Sequence, residues 1–282
     1  MIHMIRKRTE AVRAGRGGNM VKTAIVTGGS SGIGLETAKK LAEMGYRVYA
    51  LSRHPKEEAT IRSMVCDVTD EHAVKSVVKK IALETGRIDL LINAAGFGIS
   101  GAVEFTDTED AKRLFDTNFF GMVRMNKAVI PLMRARKSGR IINISSVAAP
   151  AGIPFQTYYS ASKAAIDSYT LALRNELRPF GISVGSILPG DIKTGFTAAR
   201  EKSVEGDDIY KGRIARSVAS MEHDEETGID PAAAGAFIAK VATGRTLKPQ
   251  TTLGGLYRIA VVLLRLLPVR LSNYLVYILY AR

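Results

Sequence analysis

The sequence holds a single cysteine, Cys66. No disulfide can form within one chain, and a reducing, cytoplasmic setting is the expectation. It also lacks an apolar run of the roughly 20 residues that crossing a bilayer requires. The apolar tail GLYRIAVVLLRLLPVRLSNYLVYILYAR is interrupted by Arg258, Arg265, Pro268 and Arg270. The first nineteen residues have neither the apolar core nor the cleavage-like site of a secretory leader. Internal repeats and low-complexity tracts are missing. So is any clustering of Lys and Arg with aromatic residues of the kind a nucleic-acid partner would need, and none is expected. No metal site is expected either.

What is present suits one large α/β domain over residues 20–282. The chain has 282 residues, 46% apolar and 24% charged, enough to build a sizeable core. Its net charge is +13. Arg6, Lys7, Arg8, Arg13 and Arg16 against Glu10 give the first nineteen residues a net +4. Residues 1–19 therefore read as a basic, disordered extension, with Met20 as the natural start. Elsewhere Lys and Arg are interspersed with Glu and Asp as a solvated surface, whose positive field an anionic cofactor or a membrane surface can exploit.

From Val21 onward, short apolar runs alternate with longer amphipathic ones. Strands are expected at Lys22–Thr27, Arg47–Ser52, Thr60–Asp67, Arg87–Asn93, Gly139–Ser145 and Gly181–Leu188. Helices are expected at Gly32–Met44, His72–Leu83, Thr106–Met133 and Tyr158–Leu177. Asp230 followed by Pro231 pairs an N-cap with a proline at the first helical position, opening a helix to about Val241. This alternation implies a doubly wound, mostly parallel Rossmann sheet of about seven strands with helices on both faces. Ligands bind such sheets beyond the carboxyl ends of the strands, at the switch point.

The first strand runs straight into Thr27-Gly28-Gly29-Ser30-Ser31-Gly32-Ile33-Gly34, which opens the first helix. Glycines let backbone approach a pyrophosphate with no Cβ in the way, and the helix N-terminus offers free N–H groups to the anion. The turn resembles the TGxxxGxG turn of the short-chain dehydrogenase/reductase family, with Gly28, Ser30, Ser31, Gly32, Ile33 and Gly34 as cofactor contacts. At the end of the second strand, an NAD site usually places an acid to bond the ribose 2′-OH. Here Ser52 and Arg53 stand there instead. A guanidinium can bond a 2′-phosphate, so NADP(H) is the expected cofactor. Asp67 and Val68 resemble the family's adenine-binding segment. Asn93, Ala94, Ala95 and Gly96 resemble its NNAG motif, with Ala at the second position.

Tyr159 and Lys163 lie one helical turn apart on one face. A phenol is a poor base near neutrality. Lowering its pKa from about 10 to about 7 needs about 4 kcal/mol, which a nearby ammonium and a cationic nicotinamide can share. Thirteen residues earlier, Ser146 ends a strand at the ligand-binding edge, where a hydroxyl can stabilise charge developing on a substrate oxygen. Ser146, Tyr159 and Lys163 match the family's catalytic serine, tyrosine and lysine, with Ser145 structural. Asn118 matches its asparagine, which helps hold a water in a proton relay from the lysine. Pro189, Gly190, Ile192 and Thr194 resemble the PGxxxT segment that contacts the nicotinamide. Tyr159 and Lys163 are expected to touch the cofactor as well. The resemblance spans roughly Val21 to Val241 and implies hydride transfer between a ketone or aldehyde and an alcohol.

Residues 194–228 read as a mobile lid helix pair, with Phe196, Ile209, Tyr210, Ile214 and Val218 among the residues turned to the pocket and charges turned to water. Ser146, Tyr159, Ala148, Ala149, Ile153 and Phe155 are expected against the substrate, a small carbonyl or alcohol compound of lipid-, steroid- or retinoid-like character. Residues 253–282 read as two amphipathic helices broken at Pro268. They either lie on a membrane interface through 256–282, cover the pocket or form a subunit contact. The resemblance implies a homodimer or homotetramer assembled through the two long helices. Two other readings compete. A sugar-nucleotide epimerase or dehydratase shares the Tyr/Lys pair but needs a larger C-terminal substrate domain. A catalytically silent nucleotide sensor would be expected to have lost Tyr159, Lys163 or Ser146.

Overall fold

The computed structural model describes residues 21–282; the expected basic extension lies outside them. Seven strands form one sheet: β1 (Thr23–Thr27), β2 (Arg47–Ser52), β3 (Arg62–Val65), β4 (Leu90–Asn93), β5 (Gly139–Ile144), β6 (Ile182–Pro189) and β7 (Gln250–Leu253). Every pairing in it is parallel, in the order β3-β2-β1-β4-β5-β6-β7. The order reverses between β1 and β4. Register carries Thr27 beside Asn93, Asn93 beside Asn143 and Asn143 beside Ser186, so the carboxyl ends of the central strands form one edge.

Crossover helices cover both faces. On one side, α1 (Gly32–Glu43) and α7 (Pro231–Thr243) pack against Ala24 and Val26, with Ala38 and Leu41 facing Ala234 and Ile238. On the other, α2 (Glu71–Thr85), α4 (Gly121–Ala135) and α5 (Thr157–Leu177) enclose Ile25, Leu91, Ile141 and Val184. Alternate residues of β1 thus point to opposite cores, and all five are buried. Asp230 caps α7 (Pro231–Thr243) by accepting from the Ala233 N–H at 3.0 Å.

Several expectations differ in detail. The stretch foreseen as one helix from Thr106 to Met133 is α3 (Thr108–Phe115), a π-helical turn at Asp116–Phe120, and α4. The seventh strand, Gln-Thr-Thr-Leu, carried no individual expectation. It is short, polar and at the sheet edge, with three of its four residues only half-buried. The segment after β6 holds a single turn, Phe196–Ala199, and one full helix, α6 (Arg213–Glu226). Glu201–Lys202 pairs in parallel with Ile99–Ser100 and ties this segment to the stretch that follows β4. The tail forms α8 (Gly255–Leu266) and α9 (Val269–Tyr280), parted at Pro268 as expected.

Candidate active site

The sheet's carboxyl edge opens into a cavity of about 340 Å³, in the size range of small-molecule sites. Its floor is the glycine turn. Gly28 sits at φ +65° and Gly32 at +53°, backbone that favours glycine. A Cβ on Gly28 would stand 2.9 Å from the Ala94 carbonyl and the Ala95 backbone, and one on Gly34 would collide with the Gly28 carbonyl. The Thr27 hydroxyl accepts from the backbone N–H groups of Ala94 (3.1 Å) and Ala95 (3.2 Å), lashing the ends of β1 and β4 together. Helix α1 begins with no side-chain cap and no acidic residue in its first turn. Its free N–H groups and partial positive charge therefore face the cavity uncompensated, a fit for pyrophosphate.

Gly28, Ser31, Gly32, Ile33, Gly34, Ala94, Gly96, Ser146, Ala148, Tyr159, Lys163, Pro189, Gly190, Ile192 and Thr194 share this cavity. Thr194 closes over the turn, its Cβ 3.5 Å from where a Gly32 Cβ would be. Ser30 and Ala95 lie beside it without lining it. Ser52, Arg53, Asp67 and Val68 lie outside it at the ends of β2 and β3. Arg53 is exposed, with no hydrogen bond or ion pair among the described residues. Asp67 accepts from the Thr69 backbone N–H (2.9 Å) and hydroxyl (2.8 Å), which fixes its carboxylate at the strand end. Val68 is buried against Gly121.

Helix α5 supplies the Tyr159–Lys163 pair. The Lys163 Nζ lies 5.5 Å from the centre of the Tyr159 ring and donates to the Ile144 carbonyl at 3.0 Å. Ser145 donates to the Lys163 main-chain carbonyl at 3.1 Å, so β5 and α5 are locked where the pair sits. Ser146 accepts from the Ala148 N–H at 3.1 Å, and it shares the cavity with the Tyr159 side chain. Burial pushes the phenol up to about 12, opposed by the Ser146 hydroxyl, which favours phenolate; Glu225 raises it further. Burial brings Lys163 down to about 8, opposed by Asp167 one turn along. The lowered phenol pKa expected from the sequence is therefore not produced by the protein side chains alone. Without another positive charge, Tyr159 is a neutral acid.

Two of the expected site residues make their hydrogen bonds behind the cavity. Asn93 is buried, and its amide donates to Asn126 (2.8 Å) and Asn143 (2.9 Å). Asn143 in turn donates to Thr170 at 2.9 Å, so these residues stitch β4, β5, α4 and α5 below the cavity. Asn118, in the π turn, accepts from the Phe97 N–H and donates to the Phe97 carbonyl, both at 3.0 Å, and donates to Ser162 at 3.4 Å. Its amide holds the Phe97 backbone in place and, among the described residues, hydrogen-bonds neither Tyr159 nor Lys163. Phe155 also departs from expectation. At φ +57° its ring turns into a cluster with Ile214, Val218 and Met221, edge-on to Tyr210, while Ile153 and Gln156 face the cavity.

The segment after Thr194 is not simply apolar inward. Arg200 and Glu225 form a buried ion pair, and Thr197 donates to Glu225 at 2.6 Å. Phe196 lies 5.7 Å from the Tyr159 ring. Asp191, Asp224 and Glu225 share a wall with Phe196, Met221 and Tyr280, of which only Phe196 had been named for the pocket. The Tyr257 hydroxyl donates to Asp191 at 2.5 Å and joins α8 to that wall. Spacing in the sequence could not have found Tyr257 or Tyr280, because the tail returns to the site only through tertiary packing.

The profile of the family described as short chain dehydrogenase matches residues 22–205. A 3-ketodihydrosphingosine reductase from Bacteroides thetaiotaomicron is 43% identical over 239 residues, covering 83% of this chain and 88% of that protein. The crystal structure of a short-chain dehydrogenase from Streptomyces avermitilis superposes with a TM-score of 0.80 at 29% identity, covering 91% of this chain and 96% of the other. A structure described as ElxO with NADP bound superposes at 0.71 and 26% identity, covering 85% and 100%.

Proposed function

The chain belongs to the short-chain dehydrogenase/reductase family and is an oxidoreductase of CH–OH and C=O groups; from that premise we propose that it reduces the ketone of a long-chain amphiphile with NADPH. The observation that carries this reading is the convergence of Ser146, Tyr159 and Lys163 on one cavity with the glycine turn. A bound nicotinamide dinucleotide supplies the hydride. Residues Gly28 to Gly34 hold its pyrophosphate, Thr194 and Ile192 its nicotinamide end, and Asp67 and Val68 its adenine end.

The chain's own groups then move the proton. Tyr159, kept neutral by burial, donates its hydroxyl proton to the substrate oxygen as that oxygen gains negative charge. Ser146 donates a hydrogen bond to the same oxygen. Lys163 holds its charge against the Ile144 carbonyl and stabilises the phenolate left on Tyr159. Asn118 holds the Gly96–Phe97 backbone that borders the cavity.

NADP(H) is the cofactor read from the unpaired Arg53 and the absence of a carboxylate at Ser52. For the substrate, an apolar lining of Ile153, Phe196, Ala199 and Met221 suits a hydrocarbon chain. Asp224 faces the cavity, and its carboxylate has no hydrogen-bond or ion-pair partner among the described residues. A cationic amino group beside the ketone would find its counter-charge there. The relative named as a 3-ketodihydrosphingosine reductase supports this class.

A carbonyl screen following NADPH oxidation tests the reading. Long-chain amino ketones should be turned over fastest, ahead of chain-matched ketones without the amine. No oxidation of NADPH with any ketone or aldehyde would overturn it.

A further inference from the structure

We propose that the outer face of the α8–α9 hairpin docks the protein on an anionic lipid surface, with the mouth of the active-site cavity at the interface. This rests on the amphiphilic substrate class above but is read from a different part of the molecule. Twelve of the twenty-one exposed large apolar side chains among the described residues fall between Leu256 and Leu279. Leu256 is 82% exposed, Leu266 76%, Val269 82% and Leu279 68%. On α8 the exposed positions 256, 259, 263 and 266 recur at three and four, so they form one stripe. The buried positions Val261 and Val276 face the body of the protein, where the hairpin packs on the one-turn helix Ala148–Ala151. The apolar stripe is therefore left over after the hairpin has met its own fold, and a patch of this size marks an interaction surface.

Charge identifies the occupant. No Asp or Glu occurs from Thr251 to Arg282, while Arg258, Arg265, Arg270 and Arg282 do. Arg258, Arg270 and Arg282 have no ion pair among the described residues. A self-associating face of this sign would set arginine against arginine, whereas anionic headgroups complement it, and the long stems let the guanidinium groups reach upward from an apolar layer. Tyr274 and Tyr277, exposed and stacked with ring centres 6.1 Å apart, suit the headgroup level. Among the described residues no helix is long and apolar enough to cross a membrane.

The hairpin is also part of the cavity. Tyr280 lines it, Ala281 enters the cluster with Phe155 and Met221, and Tyr257 bonds Asp191 on its wall. Docking on this face sets the cavity wall against the lipid layer that holds a long-chain substrate.

Vesicle sedimentation of the full chain tests this, using phosphatidylcholine with and without phosphatidylglycerol. The protein should pellet with the anionic vesicles and be released by added salt. A Leu256→Gln/Leu266→Gln/Leu279→Gln variant and an Arg258→Gln/Arg270→Gln variant should each lose roughly tenfold in partitioning. Both should keep the NADPH-induced thermal shift and the turnover of a water-soluble ketone. A wild-type chain that stays in the supernatant overturns the proposal. So do variants that pellet unchanged, and a glutamine variant whose only change is a shift from dimer to monomer on gel filtration, which would assign the face to a second copy. Sedimentation needs no turnover, so it can fail while catalysis stands. A lack of NADPH oxidation in vesicle-free buffer would count against the proposed function alone.

Discussion

Arg53 sits exposed at the end of β2 with its guanidinium unpaired. Charge-assisted bonds to a 2′-phosphate are strong, and NADH offers no such group. Arg53→Ala should weaken NADPH about tenfold, or about 1.4 kcal/mol, and leave NADH unchanged; thermal shifts against both cofactors would read this. An equal loss for both would remove Arg53 from cofactor choice. Lys163 carries a second prediction. Its pKa falls to about 8 on folding from the ordinary 10.5, so between these values the unfolded chain binds the extra proton. Stability from this group therefore rises with pH from about 8 to 10.5, by on the order of 3 kcal/mol at most. Tyr159 acts in the opposite sense only above its ordinary 10. Between pH 8 and 10, the melting temperature of Lys163→Met should lack the upward contribution present in the wild type. Identical slopes would mean that Lys163 is not desolvated. At this scale, residues whose chemistry is unusual for their place were legible: an i, i+4 Tyr/Lys pair or a serine ending a strand. Asn93 and Phe155 were not. An asparagine amide serves a ligand or a buried network equally well, and only the neighbours Asn126 and Asn143 decide. A left-handed backbone at Phe155 carries no signal in its side chain.

Among the elements, the β1–turn–α1 unit has the least tolerance for change. Gly34 packs so close to the Gly28 carbonyl that Gly34→Ala must move the turn. The expected result is loss of the NADPH thermal shift together with a stability cost of roughly 1–3 kcal/mol, checked by denaturant midpoint. Retention of both would show that the turn can yield. Periodicity read the elements that bury a continuous face. It failed where burial is partial or the register changes. Gln250–Leu253 is a polar edge strand with no run of β-branched apolar residues to announce it. The π turn at Asp116–Phe120 leaves the apolar spacing of the surrounding helix nearly intact while shifting its phase, and this brings Asn118 onto Phe97. The segment after β6 misled because its charges looked solvated; Arg200 and Glu225 pair with each other in the interior. Pro268 was an unambiguous break because proline cannot continue the helix before it.

For the molecule as a whole, seven parallel strands in one sheet put every strand's carboxyl end on the same side. Residues far apart in sequence, from Gly28 to Tyr280, therefore meet at one cavity. That much follows from strand–helix alternation. The closing of the site by the tail does not, since it depends on which face of α8 and α9 finds the fold. In the proposed reaction Tyr159 delivers the proton to a carbonyl held in this cavity. The most direct measurement is the turnover of Tyr159→Phe with NADPH and a long-chain ketone, paired with the NADPH-induced thermal shift of the same variant. The thermal shift should persist and kcat should fall by about two to four orders of magnitude. Turnover close to that of the wild type, with cofactor bound, would contradict that role.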